Sequence, residues 1–294
     1  MSSWLCELGH ALSNYAFADL TRAMHSSGRL QYSETGITHV LTRLVWDVAE
    51  RNGRRHQVMI RETTQAQESK VGADLELWFI DGAVGFGWLI QAKRLYPPGS
   101  PTLPPRFRRL DHKVGRRLQA TVLLDNAAEI RSHGHSVAAL YWLYAFDPVG
   151  DPCMGAPSCR CGASDPASGI LVAEGSQVRE VVLRRRRTKE PFSFHRWFYQ
   201  GELLTSILCE AGTAPRSGEA FDALSTWTSD RSPDVGVPSV LPDYILALIS
   251  IVQSFQDGDG GQANLDGADG DVDSDSPNEG SPFARNTVVI DLSE

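Results

Sequence analysis

Apolar residues recur along this chain with two different periods, and the switches between them mark out its elements. Over residues 4 to 25, Leu5, Leu8, Leu12, Tyr15 and Phe17 fall at helical spacing, which predicts a helix. ETGITHVLTRLVWDVAERNG is a second helix: Ile37, Val40, Leu41, Leu44, Val45 and Val48 share one face, Ser33 stands where a cap belongs, and Gly53 supplies the stop. RHQVMIRET then alternates as a half-buried strand does, and the polar TQAQESKVG follows as a loop. Residues 72 to 95, GADLELWFIDGAVGFGWLIQAKRL, read as two strands folded back on each other about Asp81 and Gly82. The Pro-rich YPPGSPTLPP separates this hairpin from a helix over Val114 to Ser132, and SVAALYWLYAF is a buried strand. Helix, three strands, helix, strand is the order of an α/β domain: a mixed central sheet flanked by helices, its last strand reached by a crossover.

Beyond Phe146 the pattern weakens. Residues 147 to 169 are loop-like, GILVAEGSQVREVVLRRRR is a helix or a strand ending in a basic run, and residues 192 to 211 and 240 to 256 are helical in pattern. No internal repeat is present. The expected organisation is a core over residues 1–146, a C-terminal helical extension over 147–256 packed on the same sheet, and a tail over 257–294. Between Asp257 and Pro282 almost no apolar residue occurs, so the tail is expected to be mostly disordered.

Charge sharpens this division. The formal net charge is −8, yet residues 257 to 294 hold ten acids and one Arg, which leaves 26 acids and 27 bases in the body. Inside that near-neutral body, Lys93 to Gln119 carries eight bases against Asp111 alone, a local field suited to a polyanion. YILALISIVQSF is shorter than the ~20 residues a membrane helix needs, so it reads as a core helix and no membrane partner is expected. The opening MSSWLCELGHALSNYAF lacks a basic n-region and a sustained apolar run; with five cysteines, an odd number, free thiols in a reducing cytoplasm are expected.

The charges of the hairpin have no structural need to be there. Alternation puts Asp74 and Glu76 on one face of the first strand, and Gln91 and Lys93 on one face of the second. A turn on Gly82 and Ala83 sets Asp74 directly opposite Gln91, whereas a turn on Asp81 and Gly82 slips the register by two; in both cases the polar groups share a face at the end remote from the turn. Hard divalent ions prefer carboxylate and carbonyl oxygens, so Asp74, the Gln91 amide oxygen and the Ala92 carbonyl form a partial shell for Mg²⁺ or Mn²⁺. Such an ion polarises a phosphoryl group and acidifies a bound water, and Lys93 is placed to position that water or to offset transition-state charge. The competing reading is a solvated strand end with a snorkelling Lys.

Asp74, sixteen residues, then Gln91, Ala92 and Lys93, preceded by a helix bearing Glu34 and followed by helix and strand, resembles the PD-(D/E)XK (restriction-endonuclease-like) nuclease superfamily. The variant is the one with Gln in place of the acid before Lys. ETGITHVL, ESKVGADLELWF, QAKRLY, QATVLLDNAAEI and LYWLYAF resemble most closely a bacterial family of that superfamily with GAD and QAK motifs. The likeness covers about residues 30 to 146. It implies a metal-dependent nuclease acting on nucleic acid, DNA before RNA, in a setting such as bacterial defence, and it is compatible with a homodimer. Asp74 would be the principal metal ligand, Gln91 the second, Lys93 the catalytic lysine and Glu34 a helix-borne acid by the metal. Because Gln91 is neutral the metal should be held more weakly, with Glu76 or Glu34 compensating. Arg94, Lys113, Arg116 and Gln119 would contact nucleic acid. The main rival is a nucleic-acid-binding module, inactive or partner-regulated, on the same fold.

Other features have cheaper explanations. An acid at Glu34 is expected from the helix dipole alone, and Glu68 is a solvated loop acid. Cys153, Cys159 and Cys161 lack a nearby fourth ligand unless His133 or His135 folds back, so structural zinc is not expected there. The run Arg184 to Arg187 is either a solvated helix end or a phosphate clamp. DVDSDS lacks the Gly and terminal Glu of a calcium loop.

Overall fold

In the computed structural model, the described residues are 4–25, 34–62, 73–96, 106–107, 109–145, 169–188, 192, 201–213, 217–257 and 284–293. Helices are α1 (Trp4–His25), α2 (Glu34–Arg51), α3 (Gln119–Ser132), α4 (Gly175–Thr188), α5 (Leu204–Gly212), α6 (Ser217–Arg231) and α7 (Asp243–Asp257). Strands are β1 (Val58–Glu62), β2 (Ala73–Asp81), β3 (Val84–Tyr96), β4 (Arg106–Phe107), β5 (Lys113–Val114), β6 (Arg117–Leu118), β7 (Val137–Tyr144), β8 (Ile170–Glu174), β9 (Glu202–Leu203), β10 (Ser239–Val240) and β11 (Ala284–Asp291). The main sheet runs β1-β11-β2-β3-β7-β8-β9, with β10 and β4 pairing the two ends of β3, and it mixes parallel and antiparallel neighbours. It is a mixed α/β sheet flanked by helices.

Hairpin β2-β3 turns on Gly82 and Ala83, Gly82 taking φ +60°, and its pairs run from Asp81 opposite Val84 to Leu75 opposite Ile90. This is the register that continues to Asp74 opposite Gln91. Burial on both faces explains why these strands read as nearly unbroken apolar runs. On one face, Leu8 and Leu12 of α1, Leu41 and Val45 of α2, and Leu204 and Leu208 of α5 meet Leu75, Leu77, Phe79 and Trp142. Further along that face Trp88 packs at 5.3 Å and a tilt of 58° against Trp227 of α6, and its Nε1 donates to Thr228 Oγ1 at 2.8 Å. On the other face Trp78 lies so close over Gly87 that a Cβ there would come within 2.8 Å of the indole.

Three expectations need correction. The helix expected from Val114 begins at Gln119, because Gly115, at φ +62°, turns residues 113–118 into the small β5-β6 hairpin. Residues 170–188 are both strand and helix in succession, β8 then α4. Most consequential, the tail is not all unstructured: Ala284–Asp291 forms β11, antiparallel to β1 and parallel to β2, inside the main sheet. Its Val288, Val289 and Ile290 are buried, which offsets the cost of ordering a strand so far from its neighbours in sequence. Residues 258–283, Glu68, and Cys153, Cys159 and Cys161 lie outside the described residues. Among the described residues no helix is long and apolar enough to cross a membrane.

Candidate functional site

Strand β3 is long enough to run past its turn-proximal partners, and its far end carries Gln91, Ala92, Lys93 and Arg94 beside the start of β2. Asp74 Oδ2 accepts the Ala92 backbone N–H at 2.8 Å and a short hydrogen bond from the Gln91 amide nitrogen. The Gln91 amide oxygen in turn accepts from Gln119 Nε2 at 2.5 Å, so the first residue of α3 closes the row. From the other face, Glu34 at the start of α2 brings its carboxylate to Lys93 Nζ at 3.3 Å and to the Arg94 backbone N–H at 3.4 Å. Four elements thus converge on one sheet end: β2, β3, α2 and α3.

The surroundings are dry. Lys93 is buried and its partner Glu34 half-buried. Burial pushes the Asp74 carboxyl up to about 6, against the opposing pull of Lys93 and of the Ala92 and Gln91 hydrogen bonds; the Glu34 charge pushes the same way as burial. Burial also drives the hydroxyls of Tyr141 and Tyr144 well above the usual phenol range, with Asp74 adding to both. They remain neutral at physiological pH. Tyr144 is fixed by Thr38 Oγ1 at 2.8 Å, whereas Tyr141, paired with Gln91 across the β3-β7 register, has a buried hydroxyl that meets no hydrogen-bond partner among the described residues. Gln119 Oε1 is in the same position. These two oxygens near Asp74 leave polar valence that an ordered water or a hydrated cation would satisfy, and the carboxylates of Asp74 and Glu34 are the oxygen donors that hard divalent ions prefer.

Of the sequence-derived residues, Asp74, Gln91, Ala92, Lys93 and Glu34 come together. Glu76 does not join them. It is fully buried, and its Oε1 accepts from Trp78 Nε1 at 2.9 Å and from Tyr244 of α7 at 2.5 Å. Two strand residues further from the sheet end, it is a core acceptor and not a compensating metal ligand. Arg94 also leaves the expected surface set: it is 3 % exposed, its guanidinium lies 4.5 Å over the Tyr96 ring, and its charge acts on the buried Asp19 of α1. Alternation explains this, since Arg94 must face away from Lys93. Gln119 works inside the site and not as a contact outside it. Lys113 and Arg116 are exposed on the β5-β6 hairpin, whose end connects directly to Gln119. In the basic run, Arg184 pairs with Glu180 and Arg185 lies 3.6 Å from Asp111, as a solvated helix face does.

Sequence reasoning missed Tyr141, Tyr144 and Thr38. The signal was available in LYWLY, where two hydroxyls interrupt an otherwise apolar buried strand.

A family model described as a family of unknown function, DUF6615, matches residues 5–284, nearly the whole chain. The chain belongs to the DUF6615 family. No curated protein and no solved structure matches it. Within this DUF6615 chain, the match takes in every side chain of the cluster, from Glu34 to Gln119, and it ends at the first residue of β11.

Proposed function

We propose that this DUF6615 protein is a metal-dependent nuclease of the PD-(D/E)XK type, with a restriction-endonuclease-like core, and that its substrate is DNA. The observation that carries the reading is the convergence of Asp74, Gln91, Lys93 and Glu34 at one sheet end, on elements whose order, the two-residue strands β4, β5 and β6 aside, is helix, strand, strand, strand, helix, strand. Asp74 and Glu34, with Gln91, would hold Mg²⁺ or Mn²⁺, which supplies Lewis acidity toward a phosphodiester and a more acidic bound water. The chain's own side chains do the rest. Lys93, held by Glu34 in a site screened from solvent, positions the attacking water and offsets charge on the phosphoryl oxygens. Gln119 donates to the Gln91 amide oxygen and so fixes which way that amide faces; Gln91 would join the ion through its oxygen only once the amide turns over. Lys113 and Arg116, exposed on their hairpin, meet the phosphate backbone and orient it. A role in bacterial defence is consistent with this chemistry.

The test is cleavage of plasmid DNA, single-stranded DNA and RNA in Mn²⁺ and in Mg²⁺ by wild type, Asp74→Ala and Lys93→Ala, each checked by circular dichroism. Wild type should cleave DNA, and each folded variant should lose about 10²-fold or more in rate. One detail favours a second reading, binding without turnover: the Gln91 amide nitrogen and not its oxygen faces Asp74. Inert wild type that binds DNA tightly in Mn²⁺ would replace the first reading with the second.

A further inference from the structure

On the sheet face they share with α2, α1 and α5 approach each other closely. The residue that allows it is Gly9: a Cβ there would lie 3.2 Å from Leu208 Cβ and 3.2 Å from Thr205 Cα. Cys6 and His10 stand three residues before and one after Gly9, on the same face of α1, so the close crossing sets them against Cys209 of α5. The two Sγ atoms and a ring nitrogen of His10 all lie within 4.8 Å of one another, and His10 Nε2 is 3.5 Å from Cys209 Sγ. Both thiols are buried, and both are free of disulfide.

We propose that Cys6, His10 and Cys209 form a zinc site that clasps α1 to α5. Tetrahedral Zn²⁺ with two sulfurs and one nitrogen requires S···S and S···N separations of about 3.6–3.8 Å. The cluster therefore closes on the ion with shifts on the order of 1 Å. Binding replaces two S–H bonds by two Zn–S bonds and adds one Zn–N bond; two protons leave to solvent and nothing is oxidised or reduced. Two thiolates, a neutral imidazole and Zn²⁺ sum to no net charge, so the loaded site adds no uncompensated charge to the buried helix interface. His10 is only half-buried, which gives the ion its entry path and leaves the fourth position to water. Soft sulfur ligands exclude Mg²⁺ and Mn²⁺, so this site and the Asp74 cluster draw on different ions. Cys153, Cys159 and Cys161, for which zinc is not expected, lie outside the described residues and are no part of this cluster of ligands. The clasp joins residues 203 apart in sequence, and it anchors two of the helices that cover the sheet.

The experiment is a Co²⁺ titration of the full chain, reduced and freed of metal by chelation, followed by displacement with Zn²⁺. Expected are thiolate-to-cobalt charge-transfer bands that saturate at one equivalent and vanish on adding Zn²⁺. The bands and their midpoint should persist in C153S/C159S/C161S. In H10A, whose side chain is partly exposed so that the fold tolerates its loss, affinity should fall at least about tenfold, as when metal-site partners are removed elsewhere. C209S should lose the bands altogether, and circular dichroism separates that outcome from unfolding. Absence of bands in wild type, their loss in the triple variant, or an unchanged midpoint in H10A would each overturn the proposal, leaving a thiol hydrogen-bonded to imidazole.

Discussion

Replacing Asp74 by Asn measures what the site costs the fold. Burial holds the Asp74 carboxyl at about 6, against an ordinary value of 3.8, although Lys93 and two hydrogen bonds oppose the shift. That difference corresponds to about 3 kcal/mol in favour of the protonated carboxyl, an upper figure because Asp74 is only half-buried. The sign follows from proton binding. Between about pH 4 and 6 the folded chain holds the Asp74 proton more tightly than the unfolded chain, so stability falls as pH rises through this window. Asn is neutral throughout, and its oxygen still accepts from Ala92 N–H and Gln91. The stability of Asp74→Asn relative to wild type, from urea unfolding without divalent ions, should therefore rise by about 1–3 kcal/mol between pH 4 and pH 8.

Mn²⁺ supplies the matching control. At pH 8 it should stabilise wild type, by about 2.7 kcal/mol at a hundredfold excess over its dissociation constant, and leave Asp74→Asn unchanged. A stability difference that stays flat from pH 4 to pH 8 would refute the claim that Asp74 is ionised at a cost. Equal Mn²⁺ stabilisation of both proteins would refute the claim that the cost serves an ion.

The ion pair at the start of α2 is asymmetric, with the Lys93 side chain 5 % and the Glu34 side chain 19 % exposed. Glu34→Gln strands a buried ammonium and should cost about 2 kcal/mol more than Lys93→Met, which leaves a carboxylate with some access to water; urea midpoints of the two variants decide this. Truncation before Ala284 removes a strand from between β1 and β2, so it should abolish cooperative unfolding, and a synthetic peptide of residues 284–294 added in trans should restore it in part. A soluble truncated chain with a wild-type melting curve would show that β11 is dispensable. Cleavage by wild type and by Lys113→Ala/Arg116→Ala, compared across salt, should show a smaller salt slope for the double variant by about 2, one per lost phosphate contact.

What was legible in the sequence is what short-range periodicity determines. The hairpin's two strands are contiguous, so alternation and a two-residue turn suffice to put Asp74 beside Gln91, and the helix that presents Glu34 is periodic enough to bound within a residue. Arg94 was legible too: its alternation with Lys93 sends it into the core, and counting it in a basic field ignored that. Partners distant in sequence were not legible. Nothing local to Glu76 announces Tyr244, and nothing near Cys6 and His10 announces Cys209, although their i, i+4 spacing on α1 is visible. The β-branched run Thr287 to Ile290 did carry a strand signal, but it follows an acidic stretch whose composition speaks for the whole tail.

The place of β11 in the sheet changes how the acidic segment must be tested. β11 lies directly against β2, and Asn286 Nδ2 donates to the Asp74 backbone carbonyl at 3.2 Å, so the end of the chain supports the strand that carries the principal acid. Deleting everything after Gln256 would remove the acids and this support together, and a loss of activity would say nothing about charge. Neutralising Asp266, Asp269, Asp271, Asp273, Asp275 and Glu279 to Asn and Gln, with residues 284–294 kept, separates the two. If the acids serve solubility, DNA affinity at low salt should stay within about twofold of wild type while solubility drops. A rise in affinity of tenfold that salt erases would instead identify them as competitors for the surface around Lys113 and Arg116.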